Sequence, residues 1–179
     1  MVSLSVSQMK TLPSTFFNKK TLKVAQELLG KTLVRKVDGK IIRQKIVETE
    51  AYVGPQDLAS HSSRGKTPRN EIMFREAGTI YVYFTYGMHW MLNIVTEQKD
   101  YGSAVLIRGT EAVSGPARLT KSLKIDKKLN GQKLGRKSGL WIEEGEKILG
   151  KNILQTARIG VDYAKDGWNK KPYRFVLKN

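Results

Sequence analysis

Apolar and polar side chains alternate from Ile80 to Thr85, where Ile80, Val82 and Phe84 are interleaved with Tyr81, Tyr83 and Thr85, and the apolar run resumes from His89 to Val95. A period of two predicts a pair of strands, and Gly87, free to take positive φ, predicts a reversal at Tyr86-Gly87-Met88. Upstream, Leu22, Ala25, Leu28 and Leu29 share one face at helical spacing, which predicts a helix over 19–29 with Asn18 capping its start and Gly30 its end. Strands are predicted over 31–37 and 40–50, joined by Asp38-Gly39, a pair suited to the backbone of a tight hairpin. From Val53 to Asn70, Gly, Pro and Ser break any periodicity and predict a loop. Beyond the aromatic hairpin, 103–108 reads as a buried strand, Ser114-Gly115-Pro116 opens a short basic helix, and Tyr173–Leu177 reads as a closing strand. The stretch 121–138 is rich in Lys and Gly and has no defined element. With no internal repeat and no linker, a single domain over 1–179 is expected, residues 1–10 reading as a disordered N-terminal extension.

The hairpin tip departs from ordinary turn chemistry. A solvent-facing tip usually carries Asn, Asp or Ser, and this one carries Tyr86 and Met88. Either the tip folds back into the core or it is an apolar wedge held out for a partner. Charge bears on the choice: 32 Lys and Arg against 16 Asp and Glu give a net charge of +16, spread along the chain instead of gathered in a tail. A basic folded face suits a polyanion, either nucleic acid or an anionic membrane surface. On such a protein a narrow apolar hairpin suggests insertion between stacked bases. The membrane alternative ranks below it, because the chain has no amphipathic basic helix of useful length and no apolar run near the ~18 residues of a membrane span. The opening residues lack the charged start of a signal peptide, so an intracellular location is expected.

Cysteine is absent, which excludes disulfides, thiolate metal sites and cysteine nucleophiles, and two histidines, His61 and His89, are too few for a typical catalytic zinc site. No metal and no cofactor is expected, and chemistry falls to carboxylate, hydroxyl and water. In KIVETEAYVGP, a regular pleat would place Ile46, Glu48 and Glu50 on one strand face. Two carboxylates there form either an acid and base pair of the kind that cleaves glycosidic bonds or a plain salt-bridged edge. Tyr52 and a loop carrying His61 follow directly, which makes a better site than either glutamate alone.

The runs IVETEAYVGPQDLASHS, TPRNEIMF, GTIYVYFTYGMHWMLNIV, AVLIRG, SGPARL and KPYRFVL, in this order, resemble the alkyladenine (3-methyladenine) DNA glycosylase family in its bacterial form, over most of the chain from Leu12 onward. The resemblance implies an α+β domain built on a curved antiparallel sheet with flanking helices and a β-hairpin that enters the DNA minor groove. It implies a monofunctional glycosylase that extrudes alkylated or deaminated purines and hydrolyses the N-glycosidic bond. Residue by residue, it implies Glu50 as the base that activates water and Arg108 as a partner that helps hold that water. Tyr52, His61 and Tyr83 match the pocket walls, Asn93 the residue that disfavours guanine, and Tyr86 the plug that fills the emptied duplex. Arg69, Met73, Met88, Ser114 and Gly115 are further expected DNA contacts. Glu48 has no catalytic counterpart, and no lysine matches a Schiff-base position, so no strand cleavage is expected.

Each residue also has a structural reading: Tyr52 and Tyr83 as core aromatics, His61 as a hydrogen-bonded loop residue, Arg108 as the buried partner of Glu48 or Glu50, and Asn93 as a turn residue. A non-catalytic nucleic-acid-binding module on the same fold is the alternative function. The expected partner is duplex DNA carrying damaged purines, with no obligate protein partner, for a monomer of the cytoplasm or nucleoid. One departure stands out: between LIRGTEAV and SGPARL the family carries a longer, often basic segment, and this chain crosses in a few residues. That puts the usual DNA-backbone contacts of this region in doubt, although Ser114-Gly115-Pro116 still offers backbone N–H groups at a helix start.

Overall fold

The computed structural model describes residues 9–178, so the expectation of disorder for residues 1–8 lies outside the described residues. Eight strands form one antiparallel sheet: β1 Thr32–Val37, β2 Lys40–Tyr52, β3 Ile80–Thr85, β4 His89–Thr96, β5 Ser103–Thr110, β6 Leu140–Glu143, β7 Ile153–Thr156 and β8 Arg174–Leu177. The main order is β3-β4-β5-β2-β1-β6, with β8 pairing both β2 and β7. Strand β2 organises the whole. Its first half pairs β1, and its second half lies between β5 and β8. A strand shared in this way has to bend, and the sheet curls along it.

The bend is built from two bulges. Ile46 pairs Thr110 and Glu48 pairs Gly109, which leaves Val47 without a partner; Thr49 pairs Ile107, which leaves Arg108 without one. The extra residue at Val47 corrects the expectation that Ile46 shares a face with the glutamates. Ile46 sits in the main core with Ala51 and Ile107, and Thr49 turns the same way to donate its hydroxyl to Ala25 O at 2.8 Å. Glu48 and Glu50 face the other side. An inserted residue shifts the phase of a period-two pattern by one, and sequence alternation alone does not reveal it.

Among the described residues there are three short α-helices, α1 Ser14–Phe17, α2 Thr21–Glu27 and α3 Pro116–Ser122. The predicted helix is real but shorter, and Asn18 ends α1 instead of capping α2. The first N–H of α2 is satisfied from afar: Glu97 Oε1 accepts from Thr21 N at 3.0 Å and from its hydroxyl at 2.8 Å. A carboxylate at that end also suits the helix dipole. Val24, Ala25, Leu28 and Leu29 from this region, Leu119 from α3 and Leu123 just after it, and inward residues of the sheet form the main core. Each such side chain contributes roughly 1.5–3 kcal/mol on burial, so this face of the sheet holds the domain together. Strands β6 and β7 were not expected from the sequence; β6 is buried at all four positions and therefore shows no alternation. Among the described residues no helix is long and apolar enough to cross a membrane.

Candidate active site

The opposite face of the sheet carries most of the residues singled out in the sequence. Antiparallel partners point to the same side, and the register lines up Tyr81, Asn93, Leu106, Glu50 and Arg174 across five strands in a single row. Two loops close over this face, the 53–74 segment and the 157–173 segment, and they pack small clusters around Tyr52, Tyr81 and Tyr83. Between the loops and the hairpin lies an open cleft of about 1010 Å³ lined by His61, Arg69, Tyr83, Tyr86, Leu106, Arg108, Ile159 and Tyr163, among others.

Glu50 is fully buried immediately behind this lining. Its Oε2 accepts from the Tyr52 hydroxyl at 2.8 Å, and its Oε1 accepts from Ile159 N at 2.8 Å and lies 3.6 Å from an Arg108 terminal nitrogen. Burial raises its pKa above the ordinary carboxylate value, against the opposing pull of Arg108, the Ile159 N–H and the Tyr52 hydroxyl. A carboxylate offers about four lone-pair sites, so both oxygens keep accepting capacity. The Tyr52 phenol is raised well above its usual value by burial and by the Glu50 charge, and it donates to the carboxylate as a neutral group.

Arg108 bridges the two glutamates. Its Nε donates to Glu48 Oε1 at 2.9 Å while a terminal nitrogen reaches toward Glu50. Glu48 Oε1 also accepts from Arg174 Nε at 2.7 Å, so Glu48 is held by two arginines, whereas Glu50 has Arg108 at 3.6 Å and the Tyr52 hydroxyl and Ile159 N–H as its hydrogen-bond donors.

Among the expected pocket walls, His61 and Tyr83 line the cleft with ring centroids 4.5 Å apart, and His61 Nδ1 shares a 2.9 Å hydrogen bond with the Tyr81 hydroxyl. Burial, followed by the nearby Arg69 charge, lowers the His61 pKa and keeps the ring neutral at pH 7. Tyr83 is raised by burial, and Tyr81 is pushed up to about 12 for the same reason. Asn93 is buried in the sheet row beside Leu106, with its amide donating to Tyr81 O at 3.3 Å. Tyr52 is set back from the cleft, one ring face covered by the Arg158 guanidinium at 4.8 Å.

The hairpin tip projects. Tyr86 is 78% exposed and Met88 68% exposed, while Tyr86 and Gly87 take φ of 52° and 64°. Met88 N donates to Thr85 O at 3.1 Å, closing a turn with both central residues left-handed. Glycine adopts that backbone freely, whereas a tyrosine there costs on the order of 1–2 kcal/mol. Arg69 braces the hairpin by donating to Phe84 O at 3.3 Å, and Phe84 packs on Trp90 at 4.6 Å. The tip does not fold back into the core.

Of the remaining expected contacts, Met73 requires correction: it is 3% exposed in the cluster with Tyr81 and Val95, because the Glu71–Phe74 turn rolls its apolar residues inward. Ser114 is exposed, and Gly115 caps α3 with φ 96°. The short crossing before them is a tight loop in which Thr110 and Val113 exchange backbone hydrogen bonds of 2.9 and 3.2 Å.

Sequence reasoning missed Arg158 and Asp57, which are buried together with paired contacts of 2.5 and 2.8 Å. Neither has a spacing or motif signal, since 101 residues separate them. Arg158 Nε is the one buried side-chain polar atom without a partner among the described residues.

The family model for methylpurine-DNA glycosylase matches residues 15–115 and 110–179, two stretches that meet where the crossing is short. A protein of Carboxydothermus hydrogenoformans is 45% identical over 94% of this chain and 95% of its own length. Proteins of Legionella pneumophila and Methanocella arvoryzae are 44% and 41% identical, each over 96% of this chain and over 96% and 94% of their own lengths. All three carry names that class them as 3-methyladenine DNA glycosylases. The chain belongs to the methylpurine-DNA glycosylase family.

Proposed function

We propose that this DNA-3-methyladenine glycosylase draws a damaged purine out of the duplex into the cleft and hydrolyses its N-glycosidic bond with a water activated by Glu50. The observation that carries the reading is the pairing of opposites at one cleft: a strained, exposed tyrosine at its rim and a fully buried carboxylate behind its lining. Extruding a base costs a few kcal/mol of stacking and pairing, and Tyr86 fills the vacated position so that the base does not return. Met88 lies beside it as a second apolar contact on the same tip.

The bond to be broken joins C1′ of the deoxyribose to N9 of the purine. The water oxygen bonds to C1′ and gives its proton to Glu50, while the electron pair of the C1′–N9 bond passes to the base. An N3- or N7-alkylated purine is cationic and leaves neutral, so one carboxylate suffices. Raised basicity of Glu50 favours proton transfer, and Arg108 holds the water from the other side. Glu50 lies directly behind Arg108 and Ile159, both of which line the cleft, so the water is placed against these two residues. Tyr83 offers an aromatic face that attracts a cation by roughly 0.5–2 kcal/mol, and neutral His61 adds no repelling charge. Asn93 crowds the exocyclic amine of guanine. Arg69, Ser114 and Gly115 contribute backbone contacts.

Single-turnover release of 3-methyladenine from a duplex carrying one lesion tests this reading. Glu50→Gln is expected to bind the lesion duplex and to release little base. Release at the wild-type rate would refute Glu50 as the base.

A further inference from the structure

The loop segments that close the cleft are tied to Glu50 through one buried ion pair. Arg158 precedes Ile159, whose N–H donates to Glu50 Oε1 at 2.8 Å. The Arg158 guanidinium donates to both Asp57 oxygens at 2.5 and 2.8 Å, to Ala51 O at 2.8 Å, directly after Glu50, and to Trp168 O at 3.3 Å. Its central carbon lies over the Tyr52 ring at 4.8 Å and over the Tyr173 ring at 5.3 Å. Asp57 in turn accepts from Val53 N and Ala59 N at 3.1 and 3.0 Å. One side chain thus registers three things: the end of the strand bearing Glu50, the loop leading to His61, and the loop bearing Ile159.

We propose that Arg158, locked to Asp57, is a positioning residue for the Glu50 carboxylate: it fixes the 157–160 backbone so that the Ile159 N–H occupies one lone pair of Oε1 and orients the carboxylate toward the water. The inference rests on Glu50 being the base, and it assigns a duty to residues that never touch the substrate. Arginine is required by the geometry. A lysine keeps the charge but has neither the two-pronged contact to Asp57 nor the flat face that fits between two tyrosines.

The groups facing Glu50 are Arg108 from β5, Glu48 and Tyr52 from β2, Arg174 opposite on β8, Tyr83 from β3, and Arg158 and Tyr163 from the closing loop. Beside these stands the Ile159 N–H, which follows Arg158 directly in the chain and donates to Glu50 Oε1. Losing that N–H removes a group that lowers the carboxylate pKa, so the acid limb of the rate profile moves to higher pH. Misplacing a reacting group by about an ångström costs on the order of 10²-fold in rate.

The test compares wild type, Arg158→Lys, Asp57→Asn, Glu50→Gln and a protein with the α-hydroxy acid analogue of isoleucine at position 159, which replaces only the N–H by oxygen. Single-turnover base release at saturating lesion duplex is measured from acidic to neutral pH, alongside lesion-duplex affinity and melting. Expected are folded pair variants that lose about tenfold to 10²-fold in rate with affinity largely kept, an acid limb displaced upward, and the same displacement in the ester protein without a change in melting. Where a pair variant does not fold, the ester protein decides. An unmoved limb in the ester protein, or folded pair variants with the wild-type rate and limb, would overturn the proposal. Wild-type release by Glu50→Gln would instead overturn the underlying reading of the base.

Discussion

The hairpin tip and the Glu50 strand break the rules of burial in opposite directions. At the tip a tyrosine stands in water at 78% exposure on a left-handed backbone; fewer than forty residues away in sequence a carboxylate is fully buried. Ordinary selection for stability removes both features, since the first costs backbone strain and the second costs desolvation. The difference between them is what each is prepared for. The tip keeps its apolar surface for something that arrives, and the strand keeps its charge in a dry setting where electrostatics are strong. In the proposed mechanism, extraction of the base belongs to the first region and bond cleavage to the second.

The largest effect is expected at the strand. Glu50→Gln should lower base release by about 10²–10⁴-fold, the usual loss of a general base, and should leave the fold intact. Because the folded-state pKa of Glu50 is raised by burial, this group favours folding below its unfolded pKa, and that contribution is lost as pH rises through the folded value. At neutral pH the wild-type carboxylate is therefore a burden, and the Gln variant should melt no lower in calorimetry. Glu48→Gln, acting only through Arg108, should show a smaller rate loss, and equal losses would merge the two glutamates into one unit.

Next in size is the tip. Tyr86→Ala should slow release from a stably paired lesion on the order of 10²-fold, following the few kcal/mol of stacking that the plug opposes. The melting temperature should barely move, because the side chain buries little in the free protein. A large drop in melting would return Tyr86 to the core.

The pH dependence sharpens the comparison further. Rate should rise with pH along a limb above the ordinary carboxylate range, as burial dictates, and Arg108→Met should push that limb higher by removing the nearest positive charge. Tyr86→Ala should leave the limb in place. Salt gives the smallest distinction between variants: log affinity for undamaged duplex should fall linearly with log salt by about 0.9 per phosphate contact, with the Glu50→Gln slope equal to wild type and the Arg69→Ala slope shallower by about one contact.

Much of this was legible in the chain, for identifiable reasons. The tip could be read because Gly87 marks a reversal and Tyr86 is the wrong residue to flank it. Strand β2, the β3–β4 hairpin and the start of α3 were carried by alternation, by Asp38-Gly39 and by Pro116, all local signals. What stayed hidden is nonlocal. The bulge at Val47 reversed the face of Ile46, Glu97 replaced the expected cap of α2, and Met73 turned inward with its short helical turn. Arg158 and Asp57 meet only after the two loops have closed, so neither residue announces itself in sequence.

The most direct measurement places both regions in one experiment: single-turnover base release by wild type, Glu50→Gln and Tyr86→Ala on the same lesion, once stably paired and once in an unpaired site. If the tip extracts and the strand cleaves, Glu50→Gln loses the same large factor in both contexts, whereas Tyr86→Ala is slow on the paired lesion and close to wild type on the unpaired one. Equal losses for Tyr86→Ala in both contexts, or recovery of Glu50→Gln on the unpaired lesion, would contradict that division.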